Sequence, residues 1–491
     1  MFGHHLAQRF NRTLRRFVES DSGMTLPMLA VSFMAMTGFA GAAVDVARMQ
    51  LVQSRLSFAL DAAGLAAGST MNTTTASSEV TKYMGANFPA GYLGAAAPST
   101  SVTESSDNLT LDLSATTTVP TTFMQVFGVP NFTVTATSQI ARTVMGLELA
   151  LVLDNTGSMA QDNKLPALKS AATSLINILY GNKTNVRNLW IGLVPFSQSV
   201  NIGTGHMDWL DSTYDATLDW GPTSWAGCVE PREANGKDIT DDPPSVQKFK
   251  QYYYPSTGIS SFVGSNGTTY TTPSGVLNVN KWKTVTTNNG VTTTNYIGPY
   301  NTTSHGPNYY CPLQVVPMTS NKTTLLNAIN AMQPLGDTLI PMGLSWGWRM
   351  LSPRWRGLWG GEMDTNSLPL DYGTAHMNKA VVLLTDGVNT IDNSDHGAYG
   401  YLLEGRTGTT NSSTAVTKLD NKALSVCTAL KNKGVYVYTI SLGTGTTTSV
   451  KTMLKNCASA PNYYFDSPSS TQLQAIFNAI GDSLSNLRVS R

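Results

Sequence analysis

Apolar runs and helical repeats alternate along the second part of the chain. The runs are short and rich in apolar residues, as in strands buried on both faces of a sheet, and lie at 147–153, 189–195, 379–385 and 435–440. The repeats, in which apolar residues recur every three or four positions, lie at 165–178, 420–433 and 473–487. This alternation of strand and helix predicts an α/β fold with a doubly wound, mostly parallel sheet.

A different pattern occupies the N-terminus, where residues 24–44 contain no charged side chain. A helix of that length crosses the hydrocarbon core of a bilayer, which is about 30 Å thick. Basic residues precede it, so the positive-inside rule keeps the N-terminus in the cytoplasm and the bulk of the chain in the periplasm or at the cell surface. We therefore expect a single-pass membrane protein. A cleaved signal peptide, with small residues at 39–43, is the alternative. The basic residues are Arg9, Arg12, Arg15 and Arg16.

The apolar helix is predicted to continue beyond the membrane as a stalk. Apolar residues recur at helical spacing from Val46 to Ala63, and the helix is expected to end near residue 69. The segments NLTLDLSATTTVP and PNFTVTATSQIAR then alternate apolar and polar residues, which is typical of half-buried strands. Residues 70–145 are therefore predicted to form a small α+β spacer.

Charge and cysteine content narrow the functional classes. The 491 residues carry 32 Lys and Arg against 31 Asp and Glu, a net charge of +1, without the basic excess of a nucleic-acid-binding protein. The four cysteines are widely spaced and form no C-x-x-C pair. In an oxidising compartment we expect two disulfides, Cys228 with Cys311 and Cys427 with Cys457. Four unpaired buried thiols are the alternative.

Oxygen-bearing side chains follow two of the predicted strands. Asp154, Thr156 and Ser158 lie on one turn after the first strand, and Asp386 follows the strand at 379–385. Ligands of parallel α/β sheets bind at the carboxyl ends of the strands, so these groups are expected at one edge. Carboxylate and hydroxyl oxygens suit Mg²⁺ or Mn²⁺. A site with few carboxylates leaves a coordination position for an external acidic group.

This pattern resembles the metal-ion-dependent adhesion site of von Willebrand factor A domains. That family has D-x-S-x-S after its first strand, a Thr in a later loop and an Asp after a middle strand. Here Thr156 keeps the hydroxyl of the usual Ser, and Thr338 occurs in Gly-Asp-Thr. The resemblance implies a Rossmann-like sheet and a partner whose acidic side chain completes the metal coordination. It assigns Mg²⁺ or Mn²⁺ to Asp154, Thr156, Ser158, Thr338 and Asp386. A metal-free structural turn is the alternative.

Residues 201–320 lengthen the loop between two parts of this motif and are predicted to be an insertion. The segment is rich in Asn, Thr, Gly, Tyr and Trp. Its aromatic residues are compatible with a small core of its own or with a binding surface, and both interpretations stay open. The predicted organisation is a cytoplasmic basic segment 1–22, a membrane and stalk helix 23–69, a spacer 70–145, an α/β domain 146–200 and 321–487, and the insertion 201–320.

The N-terminal helix carries a second resemblance. Its segments GAAVDVAR at 41–48 and LDAAGLAA at 60–67 resemble the N-termini of TadE/TadG-like proteins of the Flp-type pilus system. The resemblance implies pilin-like packing, pilus or envelope partners, and a role in pilus assembly or surface adhesion. A purely structural, minor pilin-like subunit with an idle metal site is the alternative. The partner, the oligomeric state and processing at Gly23, which Met28 follows where Glu is usual, stay open.

Enzymatic function is not predicted. Residues 343–347 match G-x-S-x-G, but the preceding segment reads as a loop with a proline and not as the strand that a nucleophile elbow requires. The sequence contains neither H-E-x-x-H nor a phosphate-binding G-x-x-x-x-G-K-[ST] loop. We therefore expect a binding protein without a catalytic set.

Overall fold

A computed structural model of the chain describes residues 25–68, 73–105, 110–141, 145–256, 261–263, 269–271, 280–298, 305–443, 447–467 and 469–487. The predicted cytoplasmic segment 1–22, with its arginines, lies outside these residues. The chain divides into two compact units, Met1–Arg142 and Thr143–Arg491, and each is described by itself.

In the first unit, a second helix and a three-stranded sheet pack on one long helix. The helices are α1 (Thr25–Gly68) and α2 (Thr73–Asn87). The strands are β1 (Ser99–Glu104), β2 (Thr110–Pro120) and β3 (Asn131–Ala141), antiparallel in the order β1-β2-β3. Every second residue of β2 is buried, Leu111, Leu113 and Ala115 among them, as the alternating sequence predicts.

The two halves of α1 differ in what covers them. Apolar side chains near its start are exposed, from Leu26 at 74% to Phe39 at 79%, whereas Val52, Leu56 and Leu60 are completely buried by α2 and the sheet. The helix is about 66 Å long, since its 44 residues each rise about 1.5 Å. By length and composition, Leu26–Gly68 is apolar enough to cross a membrane, with a mean hydropathy of 1.6 over its most apolar window.

The second unit contains the predicted α/β domain and the insertion. Its strands are β4 (Gly146–Asp154), β5 (Leu189–Phe196), β6 (Val200–Asn201), β7 (Cys228–Val229), β8 (Ser261–Val263), β9 (Thr269–Thr271), β10 (Lys283–Asn288), β11 (Val291–Tyr296), β12 (Val316–Thr319), β13 (Met377–Thr385), β14 (Tyr436–Leu442) and β15 (Tyr464–Ser467). Its helices are α3 (Lys164–Tyr180), α4 (Ser212–Asp215), α5 (Lys322–Ala331), α6 (Ile340–Leu351), α7 (Gly361–Thr365), α8 (Ser412–Asn432), α9 (Thr448–Cys457) and α10 (Ser470–Leu487).

A six-stranded mixed sheet forms the centre of this unit, in the order β12-β5-β4-β13-β14-β15. The pairs from β5 to β15 are parallel, and β12 joins the edge antiparallel to β5. The four strand-like runs of the sequence correspond to β4, β5, β13 and β14. The sequence did not reveal β12 and β15, because strands of four residues show too little periodicity, and β12 lies inside the range that the sequence assigned to the insertion.

Helices cover both faces of this sheet. In β4, Leu149 and Leu151 pack with α3, α5 and α10, whereas Ala150 and Val152 pack with α6, α8 and α9. Such double-sided burial explains why the strands are apolar throughout rather than alternating. Helix α8 begins at Ser412, earlier than the apolar repeat indicated, because the side chain of Asn411 caps it by accepting a hydrogen bond from the Thr414 amide at 2.9 Å.

The insertion is tied to this domain by aromatic packing and a disulfide. Trp209 lies within 5.2–6.4 Å, centroid to centroid, of Trp346, Trp355 and Trp359, which belong to the domain itself. Five aromatic residues of the insertion thus join the core of the domain: Trp209, Trp225, Phe249, Tyr252 and Tyr254. Both predicted disulfides are confirmed, and the Cys228–Cys311 bond links the two ends of the insertion, while Cys427–Cys457 links α8 to α9.

A buried ion pair joins neighbouring strands beneath α6. The Lys379 ammonium on β13 donates to the Glu148 carboxylate on β4 and to the Leu351 carbonyl at 3.0 Å. The Leu370 amide completes the cluster with a 2.8 Å bond to Glu148. Burial raises the pKa of Glu148 and lowers that of Lys379, so each charge depends on the other.

Replacing Lys379 with Met should therefore destabilise the second unit strongly. The Glu148 carboxylate would stay buried without its counter-charge, and we expect the free energy of unfolding to fall by about 3–5 kcal/mol. Urea unfolding of the full chain in detergent, followed by tryptophan fluorescence, measures this, since every tryptophan lies at or after residue 190. The double variant Glu148→Leu/Lys379→Met, which removes both charges, should lose less. An equal or larger loss in the double variant would show that the pair is not coupled.

Candidate metal site

The carboxyl ends of two adjacent strands bring the two predicted aspartates together. Strands β4 and β13 are parallel neighbours with Leu153 opposite Leu384. Asp154 is the last residue of β4, and Asp386 directly follows β13. The register therefore places both carboxylates at the same edge of the sheet, where the sequence predicted them.

The turn after β4 directs its polar groups back to these carboxylates. The Thr156 amide donates to Asp154 Oδ1 at 2.9 Å, and the hydroxyls of Thr156 and Ser158 lie 3.1 Å apart. The Ser158 hydroxyl donates to Asp386 Oδ1 at 2.7 Å. Four of the five predicted ligands thus form one hydrogen-bonded group.

Thr338, the fifth predicted ligand, is held beside this group by a loop that is fixed to the turn. The Gly157 amide donates to the Gly336 carbonyl at 2.8 Å, and the Thr390 amide donates to the Thr338 carbonyl at 2.8 Å. The Thr338 hydroxyl lies 4.0 Å from where a Cβ on Gly387 would be. It therefore borders the residue after Asp386.

Glycine is required at position 336 of this loop. Its φ of +68° is in the left-handed region, and a Cβ there would lie 2.9 Å from the Tyr310 Cβ. The sharp bend allows the loop to approach the turn closely and to present Thr338 to the site.

Burial changes the protonation equilibrium of one carboxylate in the site. Asp154 is completely buried, and burial, followed by the negative charge of Asp386, raises the pKa of Asp154 to about 7. The Thr385 hydroxyl partly compensates with a 2.7 Å bond to Asp154 Oδ2. The Lys164 ammonium, at the first residue of α3, donates to Asp386 Oδ2 at 2.9 Å, and the Lys164 side chain is only 8% exposed.

The residues present fit a divalent cation. Two carboxylates and three hydroxyls are hard oxygen donors of the kind that Mg²⁺ and Mn²⁺ prefer. The raised pKa of Asp154 marks a carboxylate short of positive charge, and a cation beside it would stabilise the ionised form. The side-chain amide of Asn155 is buried in the middle of the turn, and neither its Nδ2 nor its Oδ1 has a hydrogen-bond partner. Across the described residues, no group of three or more His, Cys, Asp or Glu side chains could hold a metal ion. A cation at this site would therefore rely on three hydroxyls beside the two carboxylates.

Sequence reasoning missed two participants. Thr385 ends an apolar strand, and its hydroxyl was read as part of that strand. Lys164 begins an amphipathic helix, where a lysine ordinarily faces water. Its burial depends on a neighbouring loop, since a Cβ on Gly443 would lie 3.1 Å from the Lys164 Cε, and no sequence pattern signals that contact.

An open cleft of about 440 Å³ borders the site. Gly157, Gly336 and Asp337 line one side, and the stacked rings of Tyr309 and Tyr310 line another, with ring centroids 3.7 Å apart. The two tyrosines come from the insertion, next to the Cys228–Cys311 bond. Burial, with the charges of two nearby aspartates, raises the pKa of Asp337 to about 7, which reduces its negative charge at neutral pH.

The G-x-S-x-G match does not form a nucleophile elbow. Residues 343–347 lie inside α6, and Ser345 is completely buried in the middle of that helix. A nucleophile elbow requires the serine to be exposed on a sharp turn between a strand and a helix. The geometry therefore gives no support to hydrolase chemistry at Ser345.

No family model and no curated protein matches the sequence. Among solved structures, the vWF domain of the type V pili tip protein Mfa5 from Porphyromonas gingivalis is 11% identical over 71% of this chain and 97% of its own, with a TM-score of 0.35. The pilus adhesin SpaC from Lactobacillus rhamnosus GG, in its open conformation, is 12% identical over 79% of this chain and 33% of its own, with a TM-score of 0.33.

Proximal thread matrix protein 1 from the mussel byssus is 14% identical over 70% of this chain, with a TM-score of 0.30. This chain spans 47% of that protein's length, and another structure of the mussel protein has a zinc-occupied MIDAS motif. Sequence identities and TM-scores this low do not support a functional assignment, so the function is argued from the geometry of the site.

Lys164 should weaken divalent-cation binding, because its positive charge opposes that of the metal. We expect Lys164→Gln to bind Mn²⁺ at least about tenfold more tightly than the unchanged chain, since removing one nearby charge changes the electrostatic energy by more than about 1.4 kcal/mol. Electron paramagnetic resonance of free Mn²⁺ during titration measures the affinity.

The matched control is Lys169→Gln on the same helix. The Lys169 ammonium bonds the Asn330 carbonyl instead of a carboxylate of the site, so its loss should leave the affinity unchanged. Equal Mn²⁺ affinities in the Lys164 variant and the unchanged chain would contradict binding next to Asp386.

Proposed function

We propose that this chain is a membrane-anchored, extracytoplasmic protein with a von Willebrand A-type domain that binds a protein partner through a Mg²⁺-dependent site. The metal would be held by Asp154, Thr156, Ser158, Thr338 and Asp386. When bound, Mg²⁺ supplies an open coordination position for an Asp or Glu side chain of the partner. The role would be in Flp/Tad-type pilus assembly or surface adhesion.

The convergence of the turn and the two strand ends carries this proposal. Ser158 bridges directly to Asp386 over a sequence separation of 228 residues, with a bond of 2.7 Å. A turn that only reversed the chain would not require two buried carboxylates, because burying them without compensating positive charge is energetically unfavourable. A bound cation would supply that positive charge.

The formal charges of the buried site favour an acidic partner. Asp154, Asp386 and Lys164 together leave one negative charge. A divalent cation converts this to one positive charge, which a single carboxylate from outside would neutralise. The partner's acidic side chain thus completes both the coordination and the charge balance.

The bordering cleft offers room for the rest of such a partner. Tyr309 and Tyr310 present aromatic faces and hydroxyls at its wall, a combination that is common where proteins bind one another. Because the tyrosines belong to the insertion, we propose that this segment selects the partner while the domain supplies the metal.

The membrane and pilus parts of the proposal depend on α1. Its exposed apolar half and the resemblance of residues 41–48 and 60–67 to TadE/TadG-like proteins support a single-pass anchor with a cytoplasmic N-terminus. The two disulfides support a location outside the cytoplasm.

One observation favours a second candidate, a structural pilin-like subunit whose metal site is idle. The Lys164 ammonium already neutralises Asp386 from within the chain. In that case the site would be a folded turn with a built-in cation, and assembly would depend on α1 alone.

Asp154→Ala should abolish Mg²⁺-dependent partner binding. The full chain in nanodiscs would be used to capture envelope proteins in the presence of Mg²⁺ or of a chelator. We expect the captured partner to be lost with the chelator and in the Asp154 variant, while circular dichroism shows an unchanged fold. Ser158→Ala, which removes a single hydroxyl, serves as a milder second variant. Asp482→Ala, an exposed change on α10, is the control and should still capture the partner.

The opposite result identifies the structural candidate. Capture that survives the chelator and the Asp154 change, combined with failed assembly after substitution of Gly38 or Gly41 in α1, would exclude the metal-dependent proposal.

Lys164→Gln should act in opposite directions on metal and partner. The variant makes the Mg²⁺-loaded site formally neutral, so the attraction for an acidic partner weakens although the metal binds more tightly. Capture at saturating Mg²⁺ should therefore decrease in Lys164→Gln and stay unchanged in Lys169→Gln. Equal capture by both variants would contradict recognition of an acidic group.

A further inference from the structure

We propose that residues 123–127, the turn between β2 and β3, insert into the lipid leaflet from which α1 emerges. The inference rests on the membrane anchoring proposed above and adds a second, separate contact with the bilayer. The occupant of this surface is then lipid acyl chains. We call residues 123–127 the apolar turn.

The apolar turn exposes large hydrophobic side chains. In its sequence FMQVF, Phe123 is 45% exposed, Val126 is 83% exposed and Phe127 is 66% exposed. The whole connection from 120 to 130 contains no charged residue. Neighbouring exposed apolar side chains of this size are unfavourable in water and mark a contact surface.

The apolar turn lies alongside the charge-free part of α1. A Cβ on Gly41 would lie 2.4 Å from the Phe123 Cγ, and a Cβ on Gly38 would lie 3.2 Å from the Phe127 Cζ. Glycine at these two positions therefore lets the rings pack against the helix backbone. Both glycines are within residues 24–44, the segment predicted to cross the membrane.

Depth follows from the helix geometry. Gly41 and Gly38 precede Asp45, the first charged residue after the apolar segment, by four and seven positions. At about 1.5 Å per residue, the two rings reach about 6 and 10 Å below Asp45. Interfacial protein segments bury their apolar side chains about 5–10 Å into the bilayer, so the apolar turn reaches the required depth.

Asp45 fixes the apolar turn at this depth. Its carboxylate accepts hydrogen bonds from the backbone amides of Thr122 at 3.0 Å, Phe123 at 2.7 Å and Met124 at 2.9 Å. Arg48 donates to the Thr122 hydroxyl at 3.0 Å and to the Leu93 carbonyl at 2.8 Å. The charges thus lie at the top of the apolar turn and satisfy its amides, while its apolar side chains point along α1 toward the apolar end.

The surface between the apolar turn and α1 suits acyl chains. It is an open cleft of about 840 Å³ lined almost entirely by apolar residues, among them Val31, Met34, Phe39 and Val126. The cleft is continuous with the exposed apolar half of α1, which no other described residues of the first unit cover. A membrane that surrounds that half of the helix therefore surrounds the apolar turn as well.

Site-directed spin labelling tests the depth directly. The four cysteines are all in disulfides, so a single introduced cysteine can be labelled in the full chain. Val126→Cys reports on the apolar turn, Met34→Cys on the membrane part of α1, and Thr137→Cys, an exposed site on β3, on the aqueous side. The chains are reconstituted in vesicles of phosphatidylethanolamine and phosphatidylglycerol, and collisions with O₂ and with a water-soluble nickel complex are compared.

We expect the label at 126 to shift toward O₂, as at 34, whereas the label at 137 collides with nickel. Nickel accessibility at 126 together with O₂ accessibility at 34 would overturn the inference and leave the anchor intact. Nickel accessibility at both 126 and 34 would overturn the anchor as well. Shielding of 126 from both reagents, with spin–spin broadening, would overturn lipid contact in favour of a second copy of the chain.

Discussion

The parallel register of β4 and β13 is the constraint on which the candidate metal site depends. It forces Asp154 and Asp386 into one buried place, where two carboxylates repel each other and lose hydration. Nearby groups partly compensate for this unfavourable electrostatic energy. Hydroxyls and an amide of the turn donate hydrogen bonds, and Lys164 contributes one positive charge. Since a single ammonium does not balance two carboxylates, the fold retains a preference for further positive charge at this edge.

Sequence reasoning identified what depends on periodicity and motif. The long strands and helices of the second unit follow from their apolar patterns. Asp154, Thr156, Ser158 and Asp386 follow from their positions after two strands, whereas Thr338 was assigned from the resemblance to von Willebrand A domains. Short strands such as β12 were not predicted, because four residues are too few to show a periodic pattern. The role of Lys164 was not predicted for a different reason. A loop distant in sequence buries this side chain, and the sequence pattern of a lysine at a helix start does not depend on whether the lysine contacts water or a carboxylate. The merging of Trp209 with the domain core is likewise a tertiary outcome.

Each unit uses one buried aspartate to organise a turn, with opposite consequences. Asp45 in the first unit accepts three backbone hydrogen bonds and lies 3.7 Å from Arg48, so its charge is satisfied within the chain. Asp154 in the second unit also accepts three hydrogen bonds, from the Thr156 and Asp386 amides and the Thr385 hydroxyl, but its neighbour is another carboxylate instead of an arginine. The same residue type therefore has its charge satisfied within the chain in the first unit, whereas in the second unit it lies beside another carboxylate, an arrangement that fits the proposed cation.

The continuity of α1 has a mechanical consequence. The helix has no proline after Pro27, and its C-terminal half is the core element on which β2 and β3 are built. A rod of this kind transmits rotation and tilt instead of absorbing them at a hinge. Under the proposed anchoring, a force that reorients the N-terminal half of α1, such as a change in bilayer thickness, would turn the attached sheet by the same angle. The first unit would therefore act as a lever whose fulcrum lies at the water–lipid boundary.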